Sequence, residues 1–323
     1  MVGSQIMAKF YFRLFYSILI LVFFTHDAWA VPTESLVQAL GSSVLRVKVN
    51  LSNGKHGFGS AVVIAKDEVV TNCHVVNEAT DISVIYHDRS YQVTAMKSDW
   101  HHDLCILKVE HLDAPIVNLR ASSELKYGEA IFTVAYPDET TQPVNTFGVI
   151  KELFPMDGSV VIRASSSFKL GSSGGGAFDE IGNLVGIITL KSKGTQAYYY
   201  YMPVEWMQAL MRKPAVALGS DAQKPFWALE AENQPYFMQV VQPYQTQNWS
   251  LLIKVAQRWI GSEPEVAESW FYLAVAEYAN HEVDQALTHF SHVLELNQEH
   301  QQTLAYLKII ANEANRFDVA WLK

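Results

Sequence analysis

The feature that most constrains this chain is a change in the period of its apolar residues. From Ser43 to about Met202, short runs rich in Val, Ile and Tyr alternate with turn residues, a pattern typical of an all-β fold. The predicted strands are 43–49, 59–65, 81–87, 104–109, 129–136, 159–165 and 184–190, with tight turns at Asn53-Gly54, Asp157-Gly158 and Gly182-Asn183. A short helix from Pro203 to Arg212 is predicted to close this region.

The remainder of the chain has helical periodicity. Helices are predicted over 249–260, 267–280, 283–296 and 300–315. Their spacing resembles one tetratricopeptide repeat flanked by degenerate ones, on the positions Trp270, Leu273, Ala274, Ala286 and Phe290. Glu277 departs from that pattern, because an aromatic residue is usual there. The alternative is that these apolar residues form an ordinary helical core.

The first 30 residues have the organisation of a secretory signal peptide. Basic Lys9 and Arg13 precede an apolar run from Leu14 to Phe24, and small residues follow at Ala28 and Ala30. We expect cleavage after Ala30 and export, with no stable membrane insertion afterwards. The alternative is an uncleaved anchor, but the apolar run is shorter than the roughly 18 residues that span a bilayer.

Composition bounds the number of domains and the class of partner. A chain of 323 residues with 49% hydrophobic residues is large enough for about two domains. The net charge is -9 at pH 7, and no basic stripe or block of like charges occurs. Nucleic acid and anionic membrane surfaces are therefore not expected as partners.

A glycine-rich segment predicts a catalytic nucleophile. Gly171-Ser172-Ser173-Gly174-Gly175 fits the pattern G-x-S-G-G, which places the nucleophile at Ser173. Glycines allow a tight backbone turn, so that the amides of Gly171 and Ser173 can converge on one oxyanion. The alternative is a flexible linker, which also uses Gly and Ser.

Two further residues supply a base and a carboxylate. His74 follows a predicted strand that ends near Thr71, and Asp103 begins an otherwise apolar strand. A carboxylate at that position needs a hydrogen-bonding partner, which the Nδ1 atom of His74 would provide. The alternatives are a structural histidine and a solvated aspartate. Asp99, His101 and His102 precede the apolar strand and are predicted to lie in a loop.

The order His, Asp, Ser is that of the chymotrypsin arrangement among the convergent triads. With the segments GFGSAVVI, TNCHVV, HDLCILKV and GSSGGGAFDEIGNLVGI, the chain resembles the trypsin-like serine peptidases and, most closely, their bacterial HtrA/Deg-like branch. The resemblance implies two perpendicular six-stranded β-barrels with the active site between them. It also implies catalysis by Ser173, His74 and Asp103, an oxyanion hole from the Gly171 and Ser173 amides, and no cofactor or metal.

Composition, periodicity and the resemblance together divide the chain into a signal peptide (1–30), a trypsin-like protease domain (31–212), a linker (213–226) and an all-α, tetratricopeptide-like domain (227–323). The chain departs from the family in three places, of which the third concerns its two cysteines. Ser172 occupies a position where HtrA-like enzymes usually have Asn, and no PDZ-like segment follows the protease domain. Regulation by such a segment is therefore not expected here.

Cys73 and Cys105 adjoin the predicted base and the predicted carboxylate. If His74 binds Asp103 these two stretches touch, and we expect a Cys73–Cys105 disulfide in an exported protein. The alternative is a pair of buried free thiols.

By the same resemblance, Ser167 lies at the bottom of the specificity pocket and Thr189, Leu190 and Lys191 form a wall. No acidic residue stands at these positions, so we expect small or medium apolar residues before the scissile bond.

The predicted function is therefore a serine endopeptidase with protein or peptide substrates, located in the periplasm or secreted. Its helical repeats would bind a protein partner or the substrate. The alternative is a catalytically silent pseudo-protease that acts as a scaffold through those repeats. A metal hydrolase is excluded by the lack of an H-E-x-x-H motif or paired Cys/His spacing.

Overall fold

The computed structural model of the chain describes residues 32–138, 140–192, 196–218 and 222–321, with side chains as far as residue 313. The predicted signal peptide lies outside these residues. The described residues form one compact unit. Within them, no helix combines the length and the apolar character needed to cross a membrane.

Six antiparallel strands form the first barrel, which follows a short helix α1 (Glu34–Gly41). The strands are β1 (Val44–Leu51), β2 (His56–Ala65), β3 (Glu68–Thr71), β4 (Ala79–Tyr86), β5 (Arg89–Asp99) and β6 (Leu104–Val109). The barrel closes in the order β1-β2-β3-β6-β5-β4. Its interior is apolar, with residues such as Val47, Val63 and Leu107 almost fully buried, which is why these strands pair so completely. A one-turn helix α2 (Cys73–Val76) lies between β3 and β4.

The second barrel repeats this architecture. Its strands are β7 (Ala130–Ala135), β8 (Val144–Met156), β9 (Ser159–Ala164), β10 (Gly176–Asp179), β11 (Leu184–Lys191) and β12 (Tyr199–Pro203). They close in the order β10-β11-β12-β9-β8-β7. The predicted turn at Asp157-Gly158 connects β8 to β9, and its two residues have φ angles of 46° and 74°, which suit a two-residue hairpin. Helix α3 (Val204–Met211) follows the barrel, as predicted.

The C-terminal region is helical. It contains α4 (Tyr236–Gln239), α5 (Val241–Gln245), α6 (Trp249–Ser262), α7 (Ala267–Ala279), α8 (Val283–Leu296) and α9 (Gln301–Trp321). The predicted fold class, a double six-stranded barrel followed by helices, is confirmed. The assignment of these helices to tetratricopeptide repeats stays a prediction.

The helices and the second barrel share a hydrophobic core. Phe237 stacks on Phe154 of β8 with ring centroids 4.5 Å apart. Arg163 and Glu152 form a buried ion pair on the barrel, and the side chain of Gln302 in α9 donates a hydrogen bond to Glu152 Oε1 at 2.8 Å. The second barrel and the helical region, which the sequence separates by composition, are therefore joined by packing, because the barrel surface around Phe154 is apolar.

The predicted linker contacts the first barrel at both of its ends. Val216 pairs with Met96 through two backbone hydrogen bonds of 3.0 and 2.7 Å, and the Phe226 amide donates to the His101 carbonyl at 3.0 Å. The Phe226 side chain is buried. This segment therefore leads the chain from α3 back to the side of the molecule where His74 lies.

Candidate active site

Local structure places His74 and Asp103 side by side. His74 lies on α2, directly after the buried strand β3, and Asp103 immediately precedes β6, which pairs with β3. Asn72 fixes the region, because its Nδ2 atom donates to the Asp103 carbonyl at 2.9 Å and to Thr189 Oγ1 at 2.8 Å. Asp103 has a φ of 59°, a conformation that aspartate tolerates better than most residues.

Both oxygens of the Asp103 carboxylate accept hydrogen bonds from His74. The backbone amide of His74 donates to Oδ1 at 2.9 Å, and Nδ1 of its ring lies 2.6 Å from Oδ2. A carboxylate can only accept, so Nδ1 carries the proton and Nε2 is left with a free lone pair. The carboxylate is buried, whereas a third of the His74 side chain is exposed. A partly exposed imidazole held in this way is suited to accept a proton at Nε2.

Cys73 and Cys105 form a disulfide with their Cα atoms 4.9 Å apart. The bond joins the residue that precedes His74 to a residue of β6 two positions after Asp103. In addition, the amide of Cys73 donates to the Asp103 carbonyl at 3.2 Å. The segments that carry the base and the carboxylate are thus held together covalently.

The loop that carries Ser173 belongs to the second barrel and docks on the first. The Ser173 carbonyl accepts from the Ser60 amide at 2.8 Å, and Ser60 Oγ donates to the Gly171 carbonyl at 3.2 Å. A Cβ atom on Gly174 would lie 2.0 Å from the Ser60 carbonyl oxygen and 2.3 Å from Thr71 Oγ1. Only glycine allows this approach, which brings the Ser173 loop against the end of β3.

Ser173 Oγ makes no hydrogen bond to His74 Nε2, or to any other described residue. The structure brings His74 and Asp103 into contact and places the Ser173 loop against the same strand end, but it does not join the serine to the base. Hydrogen bonds of this kind in peptidases without substrate are often long and tighten when substrate binds.

The two predicted oxyanion-hole amides have no acceptor among the described residues. Gly171 has a φ of 83°, and a Cβ atom there would lie 2.3 Å from the amide nitrogen of Asp138. The glycine is therefore required both for the backbone conformation and for the close packing. The N–H groups of Gly171 and Ser173 remain available to an oxyanion.

The predicted specificity residues occupy different environments. Ser167 is exposed and its carbonyl accepts from Thr146 Oγ1 at 2.6 Å. Thr189 is buried, and its hydroxyl lies against Asn72, behind His74. Leu190 is half-buried and Lys191 is exposed. Beside Ser167, an aromatic cluster that the sequence did not reveal is formed by Phe168, Tyr199 and Tyr201, with Phe168 centroid distances of 5.0 and 5.8 Å.

Trp227 is the residue of this site that sequence reasoning missed. Its indole Nε1 donates to Asp103 Oδ2 at 3.1 Å. The edge of its ring packs against the His74 imidazole, with centroids 5.6 Å apart and planes at 90°. The sequence feature that could have indicated this contact is a pair of large aromatic residues, Phe226 and Trp227, where the predicted linker meets the predicted helical domain.

Two closed barrels, with a His–Asp pair from one and a Gly-rich serine loop from the other, define a trypsin-like peptidase domain. The family model described as "Trypsin-like peptidase domain" matches residues 59–187. Over these residues the chain is similar to this family, and among curated proteins it is similar to DegP-like serine endoproteases.

Among curated proteins, the chain is 35% identical over 157 residues to a "Probable periplasmic serine endoprotease DegP-like" of Hahella chejuensis, covering 46% of this chain and 33% of that protein. It is 27% identical over 164 residues to a "Putative serine protease HhoB" of Synechocystis, covering 48% and 39%. The chain thus spans about a third of the length of the first of these relatives.

Among solved structures, the Rv3671c protease of M. tuberculosis in its active form aligns with a TM-score of 0.52 at 22% identity, covering 60% of this chain and 90% of that one. The HtrA-type protease AlgW with a tripeptide aligns with a TM-score of 0.50 at 24% identity, covering 56% and 63%. These similarities confirm the trypsin-like fold.

Proposed function

We propose that this chain is an exported serine endopeptidase that hydrolyses peptide bonds of protein substrates. The observation that carries the proposal is the two-point contact between His74 and the buried carboxylate of Asp103. It leaves a basic nitrogen exposed beside the loop that bears Ser173. The names of the relatives, serine endoprotease and serine protease, support the same activity.

The chemistry proceeds by acyl transfer. Ser173 Oγ attacks the scissile carbonyl carbon while its proton passes to His74 Nε2, and the amides of Gly171 and Ser173 stabilise the oxyanion. The intermediate collapses as the C–N bond breaks and the proton moves from His74 to the leaving amine. Water then attacks the acyl carbon with His74 again as the base, and the bond from this carbon to Ser173 Oγ breaks as His74 returns the proton to Ser173. Asp103 holds the imidazole in position and stabilises its positive charge.

Labelling with a fluorophosphonate probe tests this assignment. We expect the mature protein to be labelled at Ser173, located by mass spectrometry of the peptide that also contains Ser172. Ser173→Ala and His74→Ala should abolish labelling, whereas the remote and exposed Ser262→Ala should not. Absence of labelling in a folded wild-type protein would contradict the proposal and favour a scaffold protein.

We propose small or medium apolar residues before the scissile bond. No acidic side chain occurs at Ser167, Thr189, Leu190 or Lys191, and the aromatic cluster of Phe168 beside them offers no countercharge to a basic substrate. A peptide library should therefore show cleavage after residues such as Ala and Val. Strict cleavage after Arg or Lys would contradict this specificity.

We further propose that the mature protein works in the periplasm and that its helical region recruits the protein substrate. The word periplasmic in the relatives' names supports the first point. Leu304 and Ile309 on α9 are exposed apolar residues that support the second. Leu304→Glu/Ile309→Glu should slow cleavage of an unfolded protein such as casein while cleavage of a short peptide stays unchanged. Equal loss on both substrates would contradict recruitment.

A further inference from the structure

Two histidines and an aspartate from different barrels meet outside the catalytic residues. His101 and His102 lie in the turn between β5 and β6, and Asp157 lies in the hairpin turn between β8 and β9. The Nε2 atoms of His101 and His102 are 3.2 and 3.1 Å from the same oxygen, Oδ2 of Asp157. The potential ligand atoms all lie within 4.8 Å of one another.

The ring of His102 has a carboxylate at each nitrogen. Its Nδ1 atom lies 2.8 Å from Asp99 Oδ2 and its Nε2 atom 3.1 Å from Asp157 Oδ2. A neutral imidazole carries one N–H. If that proton is on Nδ1 and is donated to Asp99, the Nε2 lone pair faces a carboxylate, and either a second proton on the ring or a cation between the two atoms relieves the repulsion. A carboxylate on the second nitrogen is also the usual partner of a metal-binding histidine.

The separations of the two Nε2 atoms from Asp157 Oδ2 suit a tetrahedral ion. Bonds of about 2.0–2.1 Å to nitrogen and oxygen separate neighbouring tetrahedral ligands by about 3.3 Å, close to the two separations in this cluster. The His102 ring is held by stacking on Trp206, with centroids 3.8 Å apart and planes at 23°. About half of the His101 and Asp157 side chains is exposed, so an ion can enter and a water molecule can complete the coordination.

We propose that His101, His102 and Asp157 bind a divalent transition-metal ion of the Zn²⁺ class. No sequence motif reveals the site, because Asp157 is 55 positions beyond His102, and the sequence predicted His101 and His102 as loop residues. The site would differ in role from the triad, since its ligands supply no group to the proposed hydrolysis.

The ion would connect the turn that carries His101 and His102 to the hairpin turn that carries Asp157, and the first of these turns adjoins the triad. Asp103 follows His102 directly, and its amide donates to the Trp100 carbonyl at 3.2 Å. The Phe226 amide donates to the His101 carbonyl at 3.0 Å, which places Trp227 next to the same turn. Binding would therefore fasten the turn before Asp103 to the second barrel.

Zinc titration of the untagged, EDTA-treated mature protein by isothermal calorimetry tests the proposal. We expect one saturable Zn²⁺ site and a rise in melting temperature on adding zinc. His101→Gln and Asp157→Asn should each weaken zinc binding at least tenfold and abolish the thermal shift. Both residues are exposed, so the variants should fold, as circular dichroism would verify.

His292→Gln is the matched control, because His292 is an exposed histidine whose Nδ1 atom lies 2.8 Å from a carboxylate oxygen of Glu295 outside the cluster. It should bind zinc as the wild type does. The proposal is overturned if the wild type shows no saturable zinc binding, or if either cluster variant binds zinc as tightly as His292→Gln. The result is independent of peptidase activity.

Discussion

Trp227 Nε1 donates to Asp103 Oδ2, the same oxygen that lies 2.6 Å from Nδ1 of His74. One carboxylate oxygen thus accepts from the His74 imidazole and from a residue that follows both barrels. The indole also packs against the imidazole, with ring planes at 90°. We therefore predict that Trp227 is a positioning residue that acts on catalysis through Asp103 and His74.

Trp227→Phe keeps the aromatic packing and removes the N–H donor. We expect kcat to fall about tenfold with little change in KM, since a hydrogen bond to a charged group contributes about 1.5 kcal/mol or more. Loss of the donor leaves more negative charge facing the imidazole, so the acidic limb of the pH profile of kcat/KM should move to higher pH.

Trp270→Phe is the control for this substitution. It also removes an indole hydrogen bond, the one from Nε1 to the Pro264 carbonyl at 2.8 Å, at a site remote from His74. An unchanged pH profile in Trp227→Phe, or an equal loss of kcat in Trp270→Phe, would show that Trp227 has only a structural role.

The Cys73–Cys105 disulfide should stabilise the folded protein substantially. The bonded residues are 32 positions apart, and closing a loop of that length contributes about 3–4 kcal/mol in the chain-entropy account. Guanidinium unfolding of the wild type should show a lower free energy of unfolding when reductant is present. The Cys73→Ala/Cys105→Ala protein should be insensitive to reductant. Equal sensitivity of both proteins would rule out the disulfide as the cause.

Replacing only one member of the buried ion pair of Arg163 and Glu152 should lower the free energy of unfolding. Although burial disfavours its charge, the neighbouring carboxylate keeps the pKa of the Arg163 guanidinium above its usual value. Arg163→Met leaves Glu152 buried without its cation and should lower the free energy of unfolding by about 3–5 kcal/mol. The double variant Glu152→Met/Arg163→Met should lose clearly less. If guanidinium unfolding shows that the loss in the double variant equals the sum of the losses in the two single variants, this coupling is contradicted.

Glu268 should make stability depend on pH. Burial raises the pKa of its carboxyl from 4.5 to about 7. The folded protein therefore binds more protons than the unfolded one between these values, and the free energy of unfolding falls as the pH rises from 4.5 through 7. Glu268→Gln lacks this penalty and should be more stable than wild type at pH 8, by on the order of 2–3 kcal/mol, but similar near pH 4.5.

The comparison of Glu268→Gln with wild type also removes the opposing contribution of a nearby histidine. Burial lowers the pKa of His300 to about 4, which favours the folded state at higher pH, but both proteins contain this residue. Thermal unfolding of wild type and Glu268→Gln at pH 4.5 and pH 8 measures the contribution of Glu268. A difference between the two proteins that does not change with pH would show that Glu268 does not titrate in this range.

The sequence predicted the local features well because they depend on local signals. The turn at Asp157-Gly158 and the helix that begins after Pro203 follow from backbone preferences, and the fold class follows from periodicity and resemblance. The contact between Trp227 and Asp103 could not be predicted, because the two residues are 124 positions apart and no turn or period specifies how the chain returns to the cleft.

The shared core of the barrel and helices was missed for a similar reason. Periodicity identifies which face of a helix is apolar but not which surface covers it, so Phe237 gave no indication that it stacks on Phe154. The domain boundary at residue 227 stays a prediction.

A chain cut after Arg212 would retain both barrels, the disulfide and every residue of the proposed triad. It would nevertheless lose the indole that supports Asp103 and expose the ring of Phe154. The helical region in this respect supports the contact between Asp103 and His74. Fusions or shortened versions of the chain should therefore extend through the helices, even when only the proposed cleavage of short peptides is assayed.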